Sequence, residues 1–159
     1  MRILPNDKKR QVRQKLKVGS IFSVDLHNGK FAFGRCITKL SIGHLVEIFD
    51  YLSSHIELDS SKTQKRLFDP IIIDSYSLFS TKKKEGNWHI IEQQDTYIPT
   101  QVDHLKYTYG TGNERYLTDI WGNKTIISKE ASLKYPVYSP KGDLDVIEMI
   151  ESANQNEHI

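Results

Sequence analysis

Two runs of β-forming residues joined by a tight turn place the strongest constraint on the fold of this chain. Both runs lie within residues 18–37 and alternate aromatic and branched side chains with small or polar ones. Between them stand His27, Asn28 and Gly29. An Asn-Gly pair supplies the positive φ angles that a type I′ turn requires. The segment therefore predicts a β-hairpin.

The incoming strand of this hairpin has a regular two-residue alternation. Phe22, Val24 and Leu26 share one face, and Ser23 and Asp25 share the other. Such alternation is typical of a strand with one buried face and one face in solvent. We therefore expect Ser23 on the outer side.

The outgoing strand separates bulky from small side chains. The bulky face holds Phe31, Phe33, Arg35 and Ile37, and the small face holds Ala32, Gly34 and Cys36. A glycine inside a strand marks a bend, a bulge or a close backbone approach. We expect Gly34 to let the strand coil toward a barrel-like closure, with the close approach of a ligand as the alternative.

These blocks resemble a known family. The resemblance is carried by residues 18–26, by Gly-Lys-Phe-Ala-Phe-Gly-Arg at 29–35, and by shorter blocks at 45–51, 70–72 and 88–91. In this order they are similar to the immunity protein 26 family of bacterial polymorphic toxin systems. Ser20 stands where the first block of the family often has Asp. The positions that match the motif are Gly19, Phe22, Gly29, Phe31, Gly34, Phe49 and Trp88.

The resemblance implies a function. It implies a cytoplasmic, non-enzymatic protein that binds and neutralises a cognate toxin domain, without a cofactor.

Length and composition set independent bounds. A chain of 159 residues with 38% hydrophobic and 26% charged residues suits one globular domain. We expect a basic N-terminal arm or helix over 1–17, a β-rich core over 18–127 and a C-terminal helix over 141–153. The apolar runs are too short to span a bilayer, and the first residues lack the apolar core of a signal peptide. A single cysteine excludes an internal disulfide, so a reducing cytoplasm is expected.

Charge is distributed unevenly along the chain. Residues 1–17 carry seven Lys or Arg and one Asp, whereas residues 142–159 carry five Asp or Glu and no Lys or Arg. The acidic end spaces Leu144, Ile147 and Ile150 as one face of a helix. Either charged end is a candidate for contact with a partner, and a solvated surface is the simpler interpretation of both.

The middle of the chain predicts the fold class. Residues 44–52 are apolar on both faces, as in a central strand, and 71–73 read as a short strand or a buried turn. Trp88 opens another strand and is expected to anchor the core. The prediction is an α+β fold with a curved, partly barrel-like antiparallel sheet. A C-terminal helix packs on this sheet, and so does an N-terminal helix if residues 1–17 form a helix rather than an arm.

Motifs for catalysis or metal binding are weak. The six histidines lie at no metal-binding spacing from one another or from Cys36, and Gly110 to Gly112 lacks the lysine of a phosphate-binding loop. Arg35 with Glu47 and Asp50 on a neighbouring strand is the nearest group to a catalytic cluster. A structural ion pair is the better interpretation, because Arg commonly faces a carboxylate across a sheet.

Two functions remain open from the sequence. The first is an immunity protein with no membrane partner, whose predicted toxin-binding residues are Arg35, Glu47, Asp50, Trp121, Asp145 and Glu148. The second is a small β-barrel that binds nucleic acid or acts as a ribonuclease-like toxin through its basic N-terminus. A net charge of only +2 makes a nucleic-acid partner the weaker hypothesis.

Overall fold

The computed structural model describes residues 14–79 and 86–157. The chain forms two compact units. Unit 1 comprises the described residues up to Tyr97 together with those from Pro140 onward, and unit 2 is Ile98–Ser139. Most of the predicted basic arm, residues 1–13, lies outside the described residues, and its described end, 14–17, is not helical. That the chain acts as a single domain remains a prediction.

Unit 1 is built on a five-stranded antiparallel sheet in the order β4-β3-β2-β1-β5. Its strands are β1 Ser20–Asp25, β2 Phe31–Leu40, β3 Gly43–Ser53, β4 Ile71–Ile73 and β5 Trp88–Gln93. A short helix α1, Ser75–Leu78, and a C-terminal helix, numbered α3 here, complete the unit. The predicted α+β class is confirmed, and within the described residues the sheet is open rather than closed into a barrel. β3 lies inside the sheet between β2 and β4, as its two apolar faces predict.

The predicted hairpin is present as β1 and β2, but the type of its turn differs. The backbone N–H of Leu26 donates to the carbonyl of Lys30 at 3.1 Å, which closes a loop of three residues. Positive φ angles fall on His27 (61°) and Gly29 (85°) rather than on Asn28 and Gly29. The prediction of a two-residue type I′ turn is therefore wrong.

One face of the sheet, which we name the core face, carries the apolar core of unit 1. The ring of Phe22 lies 5.3 Å from that of Trp88 and 5.6 Å from that of Phe79, centroid to centroid. Tilted and edge-on aromatic pairs of this kind add to the stabilisation that burial provides. Trp88 is buried, so its predicted place in the core is confirmed.

The C-terminal helix α3 spans Asp143–Glu157 and packs on this core. Asp143 fixes the start of the helix, because one carboxylate oxygen accepts from the indole Nε1 of Trp88 at 2.8 Å. The buried side chains are Val146, Ile147 and Ile150. Leu144 is 74% exposed, so its predicted place on the apolar face is wrong. Around a helix of 3.6 residues per turn, Val146 is closer in angle to Ile150 than Leu144 is, and Val146 is the residue that is buried on the apolar face.

Gly34 explains the column of small side chains on β2. A Cβ added at Gly34 would lie 2.6 Å from Cζ of Phe22 and 2.4 Å from the carbonyl oxygen of Glu47. The pairing of β2 with β3 shifts between Ala32 and Gly34, as at a β-bulge. The small column therefore accommodates the Phe22 ring and a close strand at a bulge, and within the described residues Gly34 does not lead to the predicted barrel-like closure.

The expected solvent face of β1 is absent. Ser23 is 1% exposed, and the larger side chains of its direct cross-strand neighbours, Phe33 on β2 and His89 on β5, lie on the same face. The alternation of β1 separates a core face from a second interior face.

Unit 2 contains a three-stranded antiparallel sheet in the order β6-β7-β8. Its elements are β6 Tyr107–Thr111, β7 Glu114–Thr118, β8 Lys124–Ile127 and the short helix α2 Lys129–Ser132. The rings of Tyr109 and Tyr116 stack across β6 and β7 with their centroids 5.2 Å apart. The outer edge of β6 is covered, since Thr108 exchanges backbone hydrogen bonds with Pro136 and Tyr138.

Candidate functional site

A cluster of charged side chains lies on the face of the unit 1 sheet opposite the core face. We name this the charged face. Glu47 is only 4% exposed, and two arginine side chains donate hydrogen bonds to its carboxylate. Nε of Arg35 donates to Oε2 of Glu47 at 3.0 Å, and Nε of Arg66 donates to Oε1 at 2.9 Å. Both guanidinium groups are themselves largely buried.

Strand register creates this cluster. Arg35 on β2 and Glu47 on β3 are direct partners in the antiparallel ladder, and directly opposed side chains point to the same face. Arg66 arrives from the connection after β3, where it bridges Phe49. Since Phe49 follows Glu47 by two residues, it shares the face of Glu47. Arg66 therefore approaches the Glu47 carboxylate from the edge of β3 that lies away from β2.

Two further side chains complete the cluster. The hydroxyl of Tyr97 donates to Oε2 of Glu47 at 3.1 Å, and the Tyr97 ring lies 4.0 Å from the guanidinium carbon of Arg35. Nη1 of Arg35 donates to Oε1 of Gln94 at 2.9 Å. Glu47 therefore accepts three hydrogen bonds, which satisfies a buried carboxylate.

Gly19 brings Gln94 to this position. Its φ angle is +85°, and a Cβ there would lie 2.2 Å from the carbonyl oxygen of Gln94. The backbone N–H of Gln94 donates to the carbonyl of Gly19 at 2.9 Å. A motif glycine thus permits the close contact that holds Gln94 beside Arg35.

The cluster also keeps the Tyr97 hydroxyl protonated. Burial, and after it the negative charge of Glu47, raise the pKa of Tyr97 to about 12 against the opposing effect of Arg35. A hydroxyl that donates to a carboxylate and does not ionise near neutral pH acts as a fixed hydrogen-bond donor. The arrangement is suited to holding segments of the chain in place.

A pocket of about 250 Å³ opens on the same face beside Gln94. Ile21 belongs to it and lies directly opposite Arg35 in the register of β1 and β2. The connection after β3 supplies another wall through Ile56 and Leu58.

The sequence predicted part of this site. It paired Arg35 with Glu47 and Asp50, and the structure brings Arg35 and Glu47 together. Asp50 is three residues from Glu47 and instead accepts from Nζ of Lys65 at 3.0 Å. The sequence patterns assigned no role in the site to Arg66 or Tyr97. The basic residues Lys65 and Arg66 before Leu67 were the one feature that could have indicated a cation near Glu47.

Ser20 follows Gly19 at the start of β1. It is buried, its hydroxyl donates to Oε1 of Gln93 at 2.7 Å, and it accepts from the backbone N–H of Lys17 at 3.1 Å. In this chain the position therefore ties the start of β1 to the end of β5.

Helix α3 presents an acidic face. Asp145 and Glu148 are exposed and, together with Phe68 and Met149, line a shallow groove. The described residues provide no ion pair for Asp145, Glu148 or Glu151. Contact between these carboxylates and a partner would therefore break no internal ion pair of the described residues.

Trp121, another predicted site residue, belongs to unit 2 and is 58% exposed in the turn between β7 and β8. Asp119 shapes this turn by accepting from the backbone N–H groups of Trp121 and Asn123, both at 2.9 Å. Burial alone would raise the pKa of Asp119, but the hydrogen bonds from Asn123 and Trp121 outweigh it and lower the pKa. The turn presents Trp121 on a hydrogen-bonded base.

The thiol of Cys36 and the imidazole of His44 have ordinary structural settings. Burial raises the pKa of the Cys36 thiol to about 12, so the thiol stays protonated at neutral pH. Nδ1 of His44 is hydrogen-bonded to the hydroxyl of Ser75. Within residues 14–79 and 86–157, no three His, Cys, Asp or Glu side chains are grouped so that they could hold a metal ion.

The fold and the cluster together define a small α+β protein in which buried charged side chains of the sheet are hydrogen-bonded to one another. The profile of the family described as Immunity protein 26 matches residues 17–116, which is more than half of the chain. The chain therefore belongs to the Immunity protein 26 family, as the sequence blocks indicated.

All members of the charged cluster lie within the matched range, whereas Trp121, Asp145 and Glu148 lie beyond it. No curated protein and no solved structure gives a significant match. None of the helices in the described part of the chain is long and apolar enough to cross a membrane.

Proposed function

We propose that this protein binds a cognate toxin domain in the bacterial cytoplasm and neutralises it by non-covalent occlusion. Membership of the Immunity protein 26 family is the observation that carries this proposal. In it the protein makes and breaks no covalent bond and needs no cofactor.

The exposed residues of the predicted set supply direct contacts in this proposal. Trp121 offers a large aromatic surface in unit 2, and Asp145 and Glu148 offer carboxylates on α3 of unit 1. Exposed aromatic side chains often carry much of the energy of an interface, and charges at its rim mainly set the rate of association.

The buried residues of the set act indirectly in this proposal. Arg35 and Glu47 fix the strands and the Gln94 segment, and Asp50 fixes Lys65 in the connection after β3. Their role is to hold the binding surface of unit 1 in one conformation.

Co-expression tests the proposal. The toxin domain encoded beside this gene should arrest growth when expressed alone. Expression of this protein should restore growth, and the two purified proteins should elute as one complex in gel filtration. Persistent arrest together with separate elution would refute the proposal.

A surface variant tests the direct contact in unit 2. Trp121→Ala should weaken toxin binding at least about fivefold, because truncating an aromatic residue that carries binding energy typically removes more than about 1 kcal/mol. Tyr76→Ala is the matched control, since Tyr76 is an exposed aromatic residue of unit 1 outside the predicted set. Equal affinity of the two variants would remove Trp121 from the interface. Isothermal titration calorimetry measures both.

A further inference from the structure

The pocket on the charged face has the dimensions of an anchor site for one side chain. Its volume is about 250 Å³, below the roughly 300 to 1,000 Å³ usual for small-molecule sites. Four aliphatic side chains line it, namely Ile21, Ile56, Leu58 and Ile91. Two of them remain partly in solvent, Ile56 at 47% and Ile91 at 38% exposure. An inserted apolar stem would cover this surface.

The polar groups of the pocket include one carboxylate. The hydroxyl-bearing residues Ser60 and Thr63 come from the connection after β3, and Glu92 and Gln94 come from the end of β5 and the residue that follows it. Glu92 is exposed, and the described residues provide no ion pair for it. The described lining residues include no Lys or Arg. The pocket therefore combines apolar walls with a negative charge for which the described residues supply no counter-charge.

The charged cluster orients this carboxylate. Arg35 donates to Oε1 of Gln94 at 2.9 Å, which leaves the amide nitrogen of Gln94 directed at Oε2 of Glu92, 3.4 Å away. The chain of contacts runs from Glu47 through Arg35 and Gln94 to Glu92. Arg35 thus acts on the pocket through Gln94, although Arg35 does not itself line the pocket.

We propose that this pocket receives one lysine or arginine side chain of the toxin domain. The aliphatic stem packs against the four apolar walls. The cationic head pairs with Glu92 and donates hydrogen bonds to the hydroxyl oxygens of Ser60 and Thr63. A purely apolar occupant would leave the Glu92 carboxylate desolvated and unpaired, which is costly. A carboxylate or phosphate occupant would be repelled by it. The proposal deepens the proposed function and rests on it.

Calorimetric titration with the same toxin domain tests the proposal. Glu92→Gln should weaken the complex by about 30-fold, because removing one partner of a buried charge pair typically costs 2 kcal/mol or more. Glu92→Lys should weaken it further, and exchange of the inserted cation for Glu on the toxin should restore binding to Glu92→Lys. Thr63→Trp should block entry to the pocket.

Asp95→Asn is the matched control, since Asp95 is an exposed carboxylate close in sequence that does not line the pocket. It should bind the toxin as the wild type does. Because Glu92 is exposed, the Glu92 variants should keep the melting temperature of the wild type, so their binding can be compared directly.

The outcomes separate the two proposals. If wild-type protein forms the complex and Glu92→Gln binds equally well, the pocket proposal is overturned and the immunity function stands. Undiminished binding of Glu92→Leu would likewise overturn it, because it would indicate an apolar occupant. If the wild-type protein forms no complex, the proposed function itself fails.

Discussion

The two faces of the unit 1 sheet are made from the same strands but by opposite chemistry. On the core face, Phe22 and Trp88 pack with the buried side of α3. On the charged face, Glu47 binds Arg35 and Arg66. Apolar burial is strongly favourable, whereas a buried ion pair gains little after the cost of desolvating its charges. The aromatic packing of the core face therefore stabilises the fold, whereas the ion-paired cluster, set beside buried Phe33 and Phe49 on the charged face, fixes positions within it.

The largest expected effect comes from breaking the core face. Phe22→Ala removes a ring that contacts two other aromatic rings and fills the space above Gly34. The free energy of unfolding should fall by about 4 kcal/mol, as for other buried Phe→Ala changes. Urea denaturation measures it, with Tyr76→Ala as an exposed control expected to change less than about 0.5 kcal/mol. A loss for Phe22→Ala as small as that of the control would contradict this description of the core.

A smaller effect is expected when the charged face is broken at its centre. Glu47→Leu leaves Arg35 and Arg66 buried without their carboxylate and should cost about 3 kcal/mol of unfolding free energy. The triple replacement Arg35→Met, Glu47→Leu and Arg66→Met should recover at least half of that loss, because no buried charge is then left unpaired.

Denaturation curves of the single and triple variants decide this comparison. A triple variant less stable than Glu47→Leu would show that the ion pairs themselves stabilise the fold. The two faces would then not differ in the way described.

The smallest effect is expected at the edge of the cluster and depends on pH. Tyr97→Phe removes one hydrogen bond to Glu47 and should cost about 1 kcal/mol near neutral pH. The folded-state pKa of Tyr97, about 12, is above the value of about 10 for an unfolded chain. Its stabilising contribution should therefore be complete below pH 10 and decline as the pH rises toward 12.

The difference in stability between wild type and Tyr97→Phe isolates this contribution from other groups that titrate in alkali. Denaturation at several pH values should show the difference shrinking above pH 10. A difference independent of pH up to 12 would contradict the raised pKa of Tyr97 in the folded protein. Tyr135→Phe is the control, since the Tyr135 side chain is exposed.

Sequence patterns predicted the two faces unequally. Local alternation identified the hairpin, the central β3 and the place of Trp88, because these follow from neighbours along one strand. The burial of Ser23 was missed, since the larger side chains of Phe33 and His89 are brought beside it only by the pairing of β1 with β2 and with the distant β5.

The candidate site was predicted only where it depends on adjacent strands. Arg35 and Glu47 are joined by one hairpin connection, so their pairing could be inferred. Arg66, Gln94 and Tyr97 reach Glu47 or Arg35 through long connections whose path no periodic pattern records. The pocket beside Gln94 was missed for the same reason.

A titration of toxin activity with this protein tests most directly whether neutralisation occurs by binding. The account predicts that inhibition is complete at a fixed stoichiometric ratio, that the endpoint does not move with time, and that toxin separated from the complex regains its activity. Complete loss of toxin activity at substoichiometric amounts, progressing with time and leaving a chemically altered toxin, would contradict it.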